Sequence, residues 1–139
     1  MNMSQFIDNH DVEMCDAVID LETLKAAEKA VSVRFGNELA AYLLRYGYLA
    51  FEHVELYGMN SRQGMDSDMV KQTIYLHRYY PETSKLIAVE NQGEGDYYLV
   101  DQEDNVFNFD SETRIIKNSG LKLSEYIYKR FQSVASENV

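Results

Sequence analysis

Hydrophobic positions recur along the chain first with a helical period, then with the alternation of strands, and finally as a helical stripe again. Asp20 is placed to cap a helix over LETLKAAEKAV, with Leu24, Ala27 and Val31 along one stripe. Asn37 can cap a second helix, ELAAYLLRY, whose Leu39, Tyr42, Leu43 and Tyr46 follow i, i+3, i+4, i+7, and Gly47 sits where a left-handed C-terminal residue is wanted. YLAFEHVELYG is rich in strand formers and reads as one or two short strands closed by Gly58. Residues 59–67 read as a loop, and Asp68 caps a helix MVKQTIYLHRYY that Pro81 terminates. KLIAVEN is a nearly continuous apolar strand, and DYYLVD and NVFNFD are two more, joined across QED. After a short segment RIIKN, Ser124 begins a last helix whose Ile127, Phe131 and Val134 dock on the sheet.

This order predicts a single α+β domain, a central, mainly antiparallel sheet flanked by helices. The expected boundaries are an acidic, polar lead-in at 1–19, the domain at 20–135 and a short tail at 136–139. In the strand pair, Tyr97 and Leu99 are expected on one face and Tyr98 and Val100 on the other.

The stretch NQGEGDYYLVD, residues 91–101, is the most unusual. A dinucleotide fingerprint needs a third glycine three residues after Gly95 and a helix to follow; the position is Tyr98, and the residues after it alternate like a strand. A calcium loop counted from Asp101 finds Glu103, Asn105 and Glu112 in register, but Val106 stands where the sharp turn needs glycine. The remaining reading is structural. Gly93 and Gly95 turn the chain between two strands, at least one with positive φ, and Asp96 hydrogen-bonds back into that turn.

Composition narrows the function classes. With 139 residues, 45% of them hydrophobic, the chain can bury a core. No apolar run reaches a bilayer span of about 20 residues, and the N-terminal stretch lacks the basic and apolar blocks of a secretory signal, so a cytoplasmic protein is expected. One cysteine, Cys15, excludes an internal disulfide and a multi-cysteine zinc site. A net charge of −10 argues against nucleic acid as the partner and for something basic. Residues 1–22 hold six acids and residues 90–112 hold eight, neither stretch with a single Lys or Arg; together they supply the whole deficit.

No catalytic constellation assembles. His10, His53 and His77 are scattered, Cys15 has the acids Glu13 and Asp16 beside it, and no serine lies in a nucleophile-elbow motif. No metal site and no cofactor are expected. The pairs Tyr79–Tyr80 and Tyr97–Tyr98 each split between two faces, and the outward member of each is an interface candidate. The turn DQEDN is expected to project Glu103 and Asp104 into solvent, with Glu94 nearby. The candidate partner-binding set is therefore Glu94, Tyr97, Tyr98, Asp101, Glu103 and Asp104. The competing reading is that these acids only keep a half-exposed sheet soluble.

The order of signals resembles the SUKH superfamily, which includes the Smi/Knr cell-wall regulators. LKAAEKAVSVRFGNELAAYLLRYGYLAFEHVELYG is similar to its opening: an AE helix, a YLL-x-x-G helix end, and strands leading to LYG. VKQTIYLHRYYPETSKLIAVENQGEGDYYLVD resembles the next block, a threonine-bearing helix, a strand ending in Asn, and a Gly-x-Gly-Asp turn before an aromatic strand; SEYIYKR resembles the closing helix. At Phe35–Gly36 the chain departs from the family, which usually shows Pro after the aromatic or Leu. The resemblance spans residues 21–131. It implies a non-enzymatic α+β domain with Gly93, Gly95 and Asp96 as a shared structural turn. For bacterial members it implies immunity proteins that neutralise a cognate polymorphic or contact-dependent toxin, often a nuclease; this chain itself is expected to be a monomer or weak homodimer. For fungal relatives it implies regulatory or scaffold interaction modules. The first is the leading expectation.

Overall fold

The computed structural model describes residues 1–16, 19–59 and 67–137. In chain order the elements are α1 (Met3–Asn9), β1 (Glu13–Met14), α2 (Leu21–Val31), α3 (Asn37–Tyr46), β2 (Leu49–Phe51), β3 (Val54–Glu55), α4 (Met69–Tyr79), a 3-10 turn (Pro81–Thr83), β4 (Ile87–Asn91), β5 (Asp96–Val100), β6 (Asn105–Asp110), β7 (Ile115–Lys122) and α5 (Leu123–Glu137). Among the described residues these make one α+β domain of five helices and two antiparallel sheets, ordered β1-β2-β3 and β4-β5-β6-β7. The expected loop at 59–67 lies largely outside the described residues.

Local signals explain most element ends. The Asp20 carboxylate accepts from Thr23 N at 2.8 Å and opens α2; the Asp68 carboxylate accepts from Lys71 N at 2.9 Å and opens α4. Gly47 ends α3 at φ +73, its N–H donating to the Leu43 carbonyl. The predicted stripes are the buried ones: Leu39, Tyr42, Leu43 and Tyr46 on α3, and Ile127, Phe131 and Val134 on α5. Truncating Leu43 or Phe131 to alanine would cost about 3–5 kcal/mol.

The four-stranded sheet has a different cover on each face. Tyr97 pairs with Phe109 and Leu99 with Phe107 on one face; Tyr98 and Val100 pair with Asn108 and Val106 on the other. The helix α5 lies on the Tyr98 face, with the Tyr126 ring 5.0 Å from that of Tyr98. On the Tyr97 face, α4 is tied to β4 where Ala88 N donates to Thr73 Oγ1 at 3.0 Å, and Tyr80 sets its ring edge against Phe109. The two sheets meet where Tyr57 N donates to the Val89 carbonyl at 2.7 Å.

The first residues are part of this core. Asn2 and Gln5 form a reciprocal capping box that starts α1, a helix of 7 residues, which buries Phe6 and Ile7 against α5. Phe6 stacks on His10 at 3.8 Å and meets Phe51 and Phe131. The segment reads as polar because a helix this short exposes more positions than it buries. RIIKN likewise extends further than its pattern, as β7 runs to Lys122 past a shift in register where Gly120 takes φ +79.

Candidate protein-binding surface

The glycine turn between β4 and β5 places three successive residues in left-handed backbone: Gly93 at φ +100, Glu94 at +55 and Gly95 at +79. Gln92 N donates to the Asp96 carbonyl at 2.8 Å and Asp96 N to the Gly93 carbonyl at 3.0 Å, closing the turn. The two glycines are needed for different reasons. A Cβ on Gly93 would meet nothing, so only its dihedral calls for glycine; a Cβ on Gly95 would also fall 2.2 Å from Ser111 Oγ. That closeness lets Ser111 N reach the Gly95 carbonyl, docking the β6–β7 turn onto the β4–β5 turn. Asp96 bonds back into the turn as expected, through its backbone groups, while its carboxylate turns to the sheet. That carboxylate accepts from Asn108 Nδ2 on the neighbouring strand, because β5 has already begun and directs it onto the sheet face.

At this end of the sheet the two turns enclose a concavity of about 640 Å³, lined by Gln92, Gly93, Glu94, Asp96, Asn108, Asp110 and Glu112. Four of these are carboxylates and none is basic. Asp96 and Asp110 are directly opposed across β5 and β6, a pairing that costs stability between like charges. Arg114, next along the chain, turns away: it grips Glu82 with Nε and Nη2 and lies over the Tyr80 ring. Glu94 stands exposed at the rim.

The other three predicted acids lie elsewhere. The five-residue strand β5 carries the chain roughly 16 Å between its two turns, so Asp101, Glu103 and Asp104 occupy the opposite end of the sheet from Glu94. Asp101 holds the hairpin: its carboxylate accepts from Glu103 N, Asn105 N and Asn105 Nδ2 at 2.9, 2.9 and 3.0 Å. Burial pushes that carboxyl up, but the bonds from Asn105 and Glu103 prevail and hold it below its ordinary value. Asp104, expected in solvent, is 5% exposed. Its two oxygens accept from Glu38 N and Leu39 N at 2.9 Å each, so it caps α3 from 65–66 residues away. The expected cap, Asn37, is instead the first residue of the helix, and Gly36 ahead of it gives no side-chain cap. Gly36 must be glycine here, since a Cβ would fall 2.5 Å from the Asp104 carboxylate. Glu38 repeats the device, accepting from Ser124 N at 2.8 Å at the start of α5. Of these three acids, Glu103 alone directs its side chain outward, while its carbonyl accepts from Lys122 Nζ.

A fourth acid of the same stretch is structural. Glu90 is 2% exposed and pairs with Arg130 of α5 at 3.0 Å while Tyr126 Oη donates to it. Burial, and then the Glu90 charge, push the Tyr126 hydroxyl far above the usual tyrosine range. Tyr97 and Tyr98 are both half-buried, on opposite faces, each with a hydroxyl raised chiefly by burial. Outward aromatic surface is concentrated instead on α4, where Tyr75 and Tyr79 are exposed. The YY pairing drew attention to Tyr79; Tyr75, four residues earlier, was findable by helical spacing.

The chain matches the family described as SMI1-KNR4 cell-wall (SUKH_5) over residues 5–132. It belongs to the SUKH superfamily. A search of curated proteins finds no match. The SUKH match begins inside α1, so it takes in the segment that read as a lead-in, and it ends within α5. Among the described residues this SUKH domain has no cluster of three or more His, Cys, Asp or Glu placed to hold a metal, and no helix long and apolar enough to cross a membrane.

Proposed function

We propose that this SUKH protein is an immunity protein, acting in the cytoplasm by binding and neutralising a cognate polymorphic or contact-dependent toxin. A basic nuclease is the toxin class its charge fits. One observation carries the reading to a surface: the concavity at the β4–β5 end gathers Glu94, Asp96, Asp110 and Glu112 without a cation among its lining residues. Holding Asp96 opposite Asp110 costs stability in the free protein, and a Lys or Arg from a partner entering the concavity would relieve that cost. Long-range attraction would also speed capture of a basic toxin.

The test is a protection assay in cells expressing a toxin domain, sought among the products of the genes that neighbour this one. Glu94→Lys with Glu112→Lys should lose protection while the denaturation midpoint stays unchanged, since both side chains are exposed. Full protection by that variant would move the toxin surface elsewhere. Absence of protection by the unaltered chain would favour a regulatory or scaffold module. Charge reversal at Asp104 is unsuitable, because it tests the α3 cap rather than binding.

A further inference from the structure

Arg114 passes over the carboxylates of its own turn in favour of a distant one. Its N–H donates to the Asp110 carbonyl at 2.7 Å, and the Asp110 carboxylate accepts from Glu112 N and Thr113 N, just ahead of it. Asp110 and Glu112 thus belong to the turn that Arg114 closes. The guanidinium instead grips Glu82, 32 residues earlier, with Nε at 2.6 Å and Nη2 at 2.7 Å. A fork of this kind fixes direction as well as charge. It also draws the Glu82 carboxyl down to about 2.

Both ends of the fork are built. Pro81 opens the 3-10 turn that carries Glu82, and the buried Thr83 anchors that turn by donating from Oγ1 to the Tyr80 carbonyl at 2.8 Å. Glu82 is thereby held beside the Tyr80 ring, and the guanidinium lies 5.1 Å over that ring. Arg114 itself takes φ +62, a left-handed conformation in which Asn, Asp or Gly is the usual occupant. By alternation along β6, Asp110 lies on the opposite sheet face from Phe109, against which Tyr80 packs. The clamp and the acidic concavity therefore occupy two sides of one end of the sheet, and Arg114 stands in the turn between them.

We propose that Glu82 is a positioning residue for the concavity: it holds Arg114 out, and so keeps the acids there open to a cationic group of a partner. The inference rests on the reading of that concavity as the binding surface, and adds to it a residue outside its lining. Without Glu82, the remaining hold on Arg114 is an exposed cation–π contact, which is weak. Glu94, Asp96, Asp110 and Glu112 would then draw the guanidinium in. Tethered beside them, it would act at an effective concentration of about millimolar or higher, ahead of a dilute partner. The chain would fill its own site.

Nuclear magnetic resonance of Glu82→Ala locates the side chain directly. Overhauser contacts from the Arg114 Cδ protons should pass from the Tyr80 ring to the side chains of Asp110 or Glu112. Hexaamminecobalt(III), a trivalent cation that presents only N–H donors, then probes the concavity at low salt through the amides of Gly93, Asp96 and Glu112. Glu82→Ala should weaken its binding there by about threefold or more, and Glu82→Ala with Arg114→Gln should restore it at the net charge of the unaltered chain. Glu22→Ala, the loss of an exposed acid on α2, controls for charge alone and should change little. An exposed ion pair contributes little to folding, so thermal unfolding should stay the same throughout. Arg114 remaining on Tyr80 in Glu82→Ala would overturn the proposal. So would weakening no greater than in Glu22→Ala, or a probe that does not bind the concavity of the unaltered chain. Toxin protection is read separately: if the resonance results are as expected and Glu82→Ala still protects fully, the clamp stands and the toxin reading of the concavity fails.

Discussion

At the β5–β6 end of the four-stranded sheet, the Asp101 and Asp104 carboxylates are occupied by backbone N–H groups of the hairpin and of α3. At the β4–β5 end, Glu94 and Glu112 are exposed, and Asp96 faces Asp110 across two strands. The same residue types therefore do different work at the two ends. Acids at the first end stabilise the fold through directed bonds. Those at the second shape a field that a partner can meet. An acidic run in a sequence separates into these roles only when each oxygen is traced to its donor.

Removing the cap tests this contrast most strongly. Asp104→Ala leaves the part-buried Glu38 N–H and the buried Leu39 N–H without their acceptor, and should cost about 2–3 kcal/mol. The same change at Glu94 should stay within about 0.5 kcal/mol, and urea denaturation of the two variants side by side checks the difference. Equal losses would mean that the two ends do not differ in role. The glycine turn sharpens the comparison next: Gly95→Ala should cost about 1–2 kcal/mol and Gly93→Ala about 1, because only Gly95 also faces Ser111. Calorimetric melting of both variants ranks them.

The pH dependence is a smaller effect. The Asp101 carboxyl is held below its ordinary value, 3.8, so its bonds contribute stability that is present above that pH and lost as pH falls through the lower folded value. Asp101→Asn should therefore flatten the acid limb of a stability–pH curve, which urea denaturation across that pH range would record. Smallest, and opposite in sign, is Asp110→Asn. It relieves the repulsion from Asp96 while keeping an oxygen for Glu112 N, and should stabilise the chain by about 0.2–1 kcal/mol. Under the immunity reading the same change should weaken toxin binding, a trade-off that titration of the complex would detect.

What was legible in the sequence was what neighbours in the chain decide. The α3 stripe, the Asp20 and Asp68 caps and the glycine turn each rest on residues within one or two turns of one another, and all appear where the pattern puts them. The candidate site was only partly legible. Residues 90–112 look like one acidic patch in a linear chain, yet a strand between two turns separates Glu94 from Glu103 by the length of the sheet. Glu90 reads as another surface acid until Arg130, 40 residues on, is seen to pair with it. Asp104 is the sharpest case, since no local rule points a hairpin residue at a helix that begins more than 60 residues earlier.

That distant cap ties the order of folding to the sheet. The first turn of α3 lacks a side-chain acceptor of its own, and the one it uses arrives only when the β5–β6 hairpin has formed and docked. Glu38 in turn reaches Ser124, so the beginnings of α3 and α5 and the hairpin close as a set. The amides of Glu38 and Leu39 should thus exchange with solvent at the rate at which the hairpin opens, rather than at the faster rate of a fraying helix end. A carboxylate placed across the chain in this way makes three segments, far apart in sequence, a single cooperative unit.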